Sequence, residues 1–178
     1  MYKSDALQYR LLGITDLAEL QQVGRATYAP YYPHIWYEGG MDWYMERCFG
    51  RDNLLADFAD PNIAYYFAQN VEGEVVGLLK LGLRKAVPDT ARTNALYLEK
   101  IYLMPAFLGQ GAGRKMMDFV CDKARAMGRE AVWLMVMQTG PMAAYERAGF
   151  QVVGATHWDF DFLRVEQRGG YVMLRELA

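Results

Sequence analysis

Residues 95–137 read ALYLEKIYLMPAFLGQGAGRKMMDFVCDKARAMGREAVWLMVM. The first nine alternate with the period of a strand, which puts Ala95, Tyr97, Glu99, Ile101 and Leu103 on one face and Leu96, Leu98, Lys100 and Tyr102 on the other. Residues 111–127 recur instead at helical spacing through Met116, Phe119 or Val120, Ala124 and Met127, and Gly128 supplies a stop. Residues 131–137 form a second β-rich run. Strand, helix and strand in that order require a crossover, so the two strands are expected to be parallel, with a right-handed connection.

The run Leu108-Gly109-Gln110-Gly111-Ala112-Gly113-Arg114-Lys115 joins the first strand to the helix. A glycine inside a helix costs about 0.5–1 kcal/mol relative to alanine, so three glycines within five residues need a reason. Arg114 and Lys115 also stand in the first turn, where the positive end of the helix dipole favours acids. Both departures make sense if an anion docks on the backbone amides. A tight strand-to-helix turn is the alternative that needs no ligand. A P-loop would need Gly-Lys-Ser/Thr ending the pattern that starts at Gly109, but Arg114 stands there and no Ser or Thr follows. The dinucleotide fingerprint would need a third glycine at that same position.

Working outward, residues 7–14 read as a strand, and Thr15-Asp16 offer cap chemistry to a helix through Leu17, Leu20, Val23 and Ala26 or Thr27, ending near Ala29. Pro30 and Pro33 bound a segment crowded with Tyr28, Tyr31, Tyr32, Trp36 and Tyr37, and Gly39-Gly40 precede a second helical pattern with Trp43, Tyr44, Arg47 and Cys48. Residues 63–69 and 75–83 flank a turn and form a hairpin. Downstream, residues 141–148 read as a short helix between Pro141 and Gly149, with strands over 150–158 and 170–177. A single domain over residues 1–178 is expected.

Composition excludes several function classes. At 53% hydrophobic and 22% charged residues with a formal net charge of −2, the chain has no global positive field to gather nucleic acid or anionic lipid. No stretch approaches a membrane span, and Met1–Asp5 carry no leader pattern. Cys48 and Cys121 lack disulfide or zinc spacing, so a reduced, cytoplasmic protein is expected. His34 and His157 have no metal-ligand spacing around them, and the only serine, Ser4, leaves no serine nucleophile.

The glycine loop, together with Glu99-Lys100-Ile101-Tyr102-Leu103 before it and Tyr145-Glu146-Arg147-Ala148-Gly149-Phe150 after it, resembles the GCN5-related N-acetyltransferase (GNAT) family, over residues 64–158. Gly111 and Gly113 match the two family glycines, while Leu108 stands where a basic or amide residue is usual. The resemblance implies an α/β (α+β) GNAT fold: a mixed, mostly antiparallel twisted sheet of about six to seven strands with a splayed parallel central pair, flanked by about four helices. It implies acetyl-CoA as cosubstrate and no metal. Ile101, Tyr102 and Leu103 would hold the pantetheine arm. Leu108, Gly109, Gln110, Gly111, Ala112, Gly113 and Arg114 would hold the pyrophosphate. Gln138, in place of the family's asparagine, would lie along the cofactor with Met142 and Tyr145.

Acetyl transfer to an amine needs a group to protonate the departing thiolate and one to take the amine's proton. By position in the family pattern Tyr145 is the acid, and Glu99 is the candidate base unless it is paired with Lys100 or Arg84. The acceptor side would be shaped by Tyr28, Tyr32, Trp36 and Glu38, with Asp42 and Glu46 nearby; aromatic faces and carboxylates suit a cationic amine. Thr27-Tyr28, Gly77 to Leu81, Trp133 and Gly154-Ala155-Thr156-His157 resemble the bacterial spermidine/spermine N-acetyltransferase subgroup, although Gly169-Gly170 replace its threonine and aspartate. The expected partner is therefore a small-molecule amine such as a polyamine. Peptide or protein N-acetylation and a non-catalytic acyl-CoA-binding module are the alternatives. Exposed strand edges leave room for a homodimer.

Overall fold

The computed structural model describes residues 6–178, so the reading of Met1–Asp5 lies outside the described residues. The chain runs β1 (Gln8–Leu11), α1 (Leu17–Tyr28), α2 (Gly40–Phe49), α3 (Arg51–Ala59), β2 (Ile63–Gln69), β3 (Val75–Gly82), β4 (Ala95–Leu103), α4 (Ala112–Ala126), β5 (Ala131–Met137), α5 (Met142–Arg147), β6 (Gln151–His157) and β7 (Gly169–Glu176). Seven strands form one sheet in the order β1-β2-β3-β4-β5-β7-β6, antiparallel throughout except for the central β4–β5 pair. This is the mixed GNAT-type sheet.

Helices cover both faces. On one, Met116, Met117, Val120, Cys121 and Ala124 of α4 pack on Leu96 and Leu98 of β4 and Val132, Leu134 and Val136 of β5. On the other, Leu17, Leu20 and Val23 of α1, Met45 and Phe49 of α2 and Leu54 of α3 bury Tyr65, Phe67 and Leu78. Five α-helices stand among the described residues where about four were expected. The addition is α3, which buries only Leu54 completely and so leaves no apolar stripe to read. A Cβ at Gly50, between α2 and α3, would overlap the carbonyl oxygen of Glu46, so the sharp joint depends on glycine.

The strict alternation expected for β4 fails at one residue. Lys80 pairs with Lys100 but Leu81 pairs with Leu98, which leaves Glu99 as an extra residue in β4. This bulge resets the phase: Leu96, Leu98, Ile101 and Leu103 all pack toward α4, while Ala95, Tyr97 and Tyr102 face the other way. Glu99 therefore does not share one alternating face with Ala95 and Leu103.

Candidate active site

The β4–β5 ladder spans only Ala95–Tyr97 against Ala131–Trp133. Beyond that point β4 stays with β3 and β5 with β7, so the two central strands part. Trp133, fully buried with Tyr97 stacked on it at 4.1 Å, sits at the fork, and its indole donates to the Lys85 carbonyl at 2.9 Å. The gap opens into a cavity of about 1040 Å³. Leu108 and Gly113 line one end, Leu134 to Met137 and Glu99 to Leu103 its sides, and Tyr28, Tyr32 and Trp36 the far wall.

At the loop end, Gly109 and Gly111 adopt φ of 70° and 81°, the left-handed region in which a side chain is strained. No atom lies within 4 Å of a Cβ placed at either, so the glycines answer to conformation and leave open space above the backbone. Gly111 caps α4, whose first-turn amides have no carbonyl one turn back and whose first turn holds no acid. Such amides, at the positive end of the helix, are an anion cradle. The Arg114 guanidinium turns away, donating to the Arg147 carbonyl at 2.8 Å and lying 3.3 Å from Asp118, so its contribution to the cradle is its backbone amide.

Tyr145 projects from α5 into the cavity wall and packs edge-on against Phe150 at 6.2 Å. Burial, with Tyr32 adding to it, raises its hydroxyl well above the usual tyrosine value, so it stays protonated and able to donate. Across the cavity, Tyr28 stacks on Tyr32 at 4.5 Å, accepts a hydrogen bond from the Trp36 indole at 3.2 Å, and lies 5.6 Å from Tyr102.

Glu99 sits in a buried cluster. Its Oε1 lies 3.0 Å from Lys80 Nζ and 3.2 Å from Lys100 Nζ, and Lys80 also lies 2.9 Å from Asp57 Oδ2, which accepts the Tyr65 hydroxyl at 2.5 Å. Burial pushes the Glu99 carboxyl up, but Lys100 and Lys80 together bring it below the ordinary glutamate value. Burial would lower Lys80, yet Glu99 and Asp57 outweigh it and raise the ammonium above its ordinary value. Asp57, Lys80 and Lys100 escaped the sequence reading as site residues. A signal existed for Lys80, the single charge in the apolar run VVGLLKLG, since a lysine in a buried strand must find partners.

Of the other residues read from sequence, Ile101, Tyr102, Leu103, Leu108 and Gly113 line the cavity, as do Tyr28, Tyr32 and Trp36. Gly109, Gln110, Gly111 and Ala112 lie outside its wall, in the turn that enters α4. Gln138 packs its amide against Gly169, and neither it nor Met142 nor the exposed Glu38 belongs to the lining. Trp158 joins the wall unexpectedly: any Cβ at Gly170 would overlap its ring, so the glycine lets the indole lie on the sheet. Met135, Thr139 and Pro141 complete the side toward α5.

A split parallel pair with a glycine-rich helix N-terminus at one end and a buried, protonated tyrosine beside it is the arrangement that the resemblance to acetyltransferases implies. The profile of the acetyltransferase (GNAT) family matches residues 21–150, and the chain belongs to that family. It is 31% identical over 123 residues to an uncharacterized N-acetyltransferase of the pepI 3' region from Lactobacillus delbrueckii subsp. lactis, covering 69% of this chain and 70% of that one. Its fold is similar to that of the PaiA N-acetyltransferase from Thermoplasma acidophilum in complex with coenzyme A (TM-score 0.72, 19% identity, 96% of this chain and 99% of that one). The spermidine/spermine N-acetyltransferase SpeG from Vibrio cholerae is likewise similar in fold (TM-score 0.67, 18% identity, 98% and 94%). Among the described residues no helix is long and apolar enough to cross a membrane.

Proposed function

We propose that this chain transfers the acetyl group of acetyl-CoA to a primary amine of a small molecule by direct attack, with both substrates held in the cavity at once. The observation that carries the reading is one continuous space running from the glycine cradle, through the split strands, to Tyr145 and Glu99. Acetyl-CoA supplies the reactive thioester. The amides of Leu108 to Arg114 would hold its pyrophosphate, and the side of β4 at Ile101, Tyr102 and Leu103 that faces away from β3, where pairing with β5 has ended, would hold the pantetheine.

Glu99, kept ionised by its two lysines, orients the incoming ammonium and takes its proton or relays it to water, leaving the amine nitrogen free to attack the acetyl carbonyl. As the C–N bond forms and the C–S bond breaks, the nitrogen sheds its second proton to water, Tyr145 donates its hydroxyl proton to the departing sulfur, and Glu99 and Tyr145 return to their starting protonation states by exchange with solvent. The unbridged cysteines, Cys48 and Cys121, support a cytoplasmic setting. The sheet-edge strand β6, with Val152 and Val153 exposed, supports self-association.

Steady-state kinetics of Tyr145→Phe test the assignment. Loss of the acid lowers kcat by about a hundredfold or more, with the smaller part of the effect in KM. A variant with wild-type kcat removes Tyr145 from the mechanism.

A further inference from the structure

The groups lining the acceptor half of the cavity do not match one another in charge. Arg47, Asp57, Lys80, Glu99 and Lys100 reach its wall, three cations against two carboxylates. Both carboxylates are already answered, Asp57 by Lys80 and Tyr65, Glu99 by Lys80 and Lys100. Glu38, Asp42 and Glu46, the acids expected to attract a polycation, do not line the cavity, and Asp42 is paired with Arg25 at 2.9 Å.

Two donors that line the cavity have no protein acceptor among the described residues, Arg47 on an exposed residue and Tyr31 on a half-buried one. The Arg47 guanidinium is held over the rings of Trp43 and Phe160, 5.6 and 5.0 Å from their centroids, and forms no ion pair among the described residues. The Tyr31 hydroxyl is shut away from solvent with no hydrogen-bond partner, and an unpaired buried hydroxyl carries its desolvation penalty until a ligand meets it. Both residues belong to the α1–α2 side of the sheet, across from α4 and its glycine cradle. Both line the cavity together with Tyr28, Tyr32 and Trp36.

We propose that the acceptor is an amine that also bears a carboxylate, its amine directed to Glu99 and Tyr145 and its carboxylate to Arg47 and Tyr31. This inference rests on the acetyl-transfer reading and replaces the polyamine expectation. A guanidinium presents a planar fork that matches a carboxylate, and the rings of Tyr28, Tyr32, Trp36, Trp158 and Phe160 accommodate an apolar body between the two ends. A wall with excess positive charge repels a chain of ammonium groups.

The test compares acceptors that differ by the carboxylate alone: phenylalanine against phenethylamine and lysine against cadaverine, with spermidine as the polycation. The wild-type enzyme is expected to favour the carboxylate-bearing member of at least one pair by about tenfold or more in kcat/KM, the scale of a charge-assisted hydrogen bond, and to leave spermidine the poorest substrate. Arg47→Met, which keeps the apolar stem over the rings, and Tyr31→Phe shrink that ratio. The wild-type ratios need no variant to fold. Equal or better turnover of both decarboxylated amines, or spermidine as the best acceptor, overturns the inference while acetyl transfer stands. Acetyl-CoA binding with no amine acetylated overturns the acetyl-transfer reading and this inference together.

Discussion

Lys80 is the charge on which the site's electrostatics turn. It bridges Asp57 on α3 and Glu99 in the β4 bulge, and its side chain is 11% exposed, so removing it leaves two carboxylates in a poorly solvated place. Lys80→Met is expected to destabilise the fold by about 3–5 kcal/mol, the usual consequence of breaking a buried pair on one side. The linkage has two arms. Glu99 is depressed in the fold, so its stabilising contribution is present above its unfolded value and is lost as pH falls through the folded one. Lys80 is raised, so its contribution is full below its unfolded value and is lost as pH rises through the folded one. In a pH profile of kcat/KM, the acid limb belonging to Glu99 moves to higher pH in Lys80→Met, and Lys80→Arg moves it back. A limb that stays in place would show that Glu99 does not set it. Sequence reading reached Glu99 and its neighbour Lys100, but the link to Lys80 and Asp57 joins residues on three separate elements. Local spacing carries no trace of that.

At the scale of elements, the loop into α4 was legible because left-handed backbone leaves a mark in sequence: φ of 70° and 81° at Gly109 and Gly111 are conformations that glycine alone takes freely. The β4 bulge left no such mark, since Glu99 differs from any strand glutamate only in its pairing. The face assignment beyond it was therefore wrong, although the strand's ends were right. Helix α3 was missed for a related reason, one fully buried residue being too little pattern. Gly111→Val puts a β-branched residue at φ 81°, a conformational cost of about 1–2 kcal/mol, and sends its side chain into the open space at the mouth of the loop. Calorimetric titration is expected to show acetyl-CoA affinity reduced by about tenfold or more, with the far-ultraviolet spectrum of the fold retained. Unchanged affinity would mean that the cradle does not hold the cofactor.

Across the whole molecule, the strand–helix–strand order of residues 95–137 was enough to make the pair parallel, and the family resemblance supplied its central place in the sheet and its splay. The cavity's far wall was less legible. It gathers Tyr31 from the segment after α1, Arg47 from α2, Asp57 from α3 and Trp158 from the end of β6, and the last depends on a glycine twelve residues on, Gly170. Aromatic crowding around Tyr28 and Trp36 pointed toward that wall, but the charge that decides its ligand came from elements whose meeting is a property of the tertiary fold. The most direct test of the central claim is to incubate the purified protein with acetyl-CoA and a panel of primary amines, and to quantify free thiol and acetylated amine by mass in the same sample. The account predicts thiol and amide in equal amounts, formed only when an amine is present. Thiol released without an acylated amine, or no thiol release with any acceptor, would contradict it.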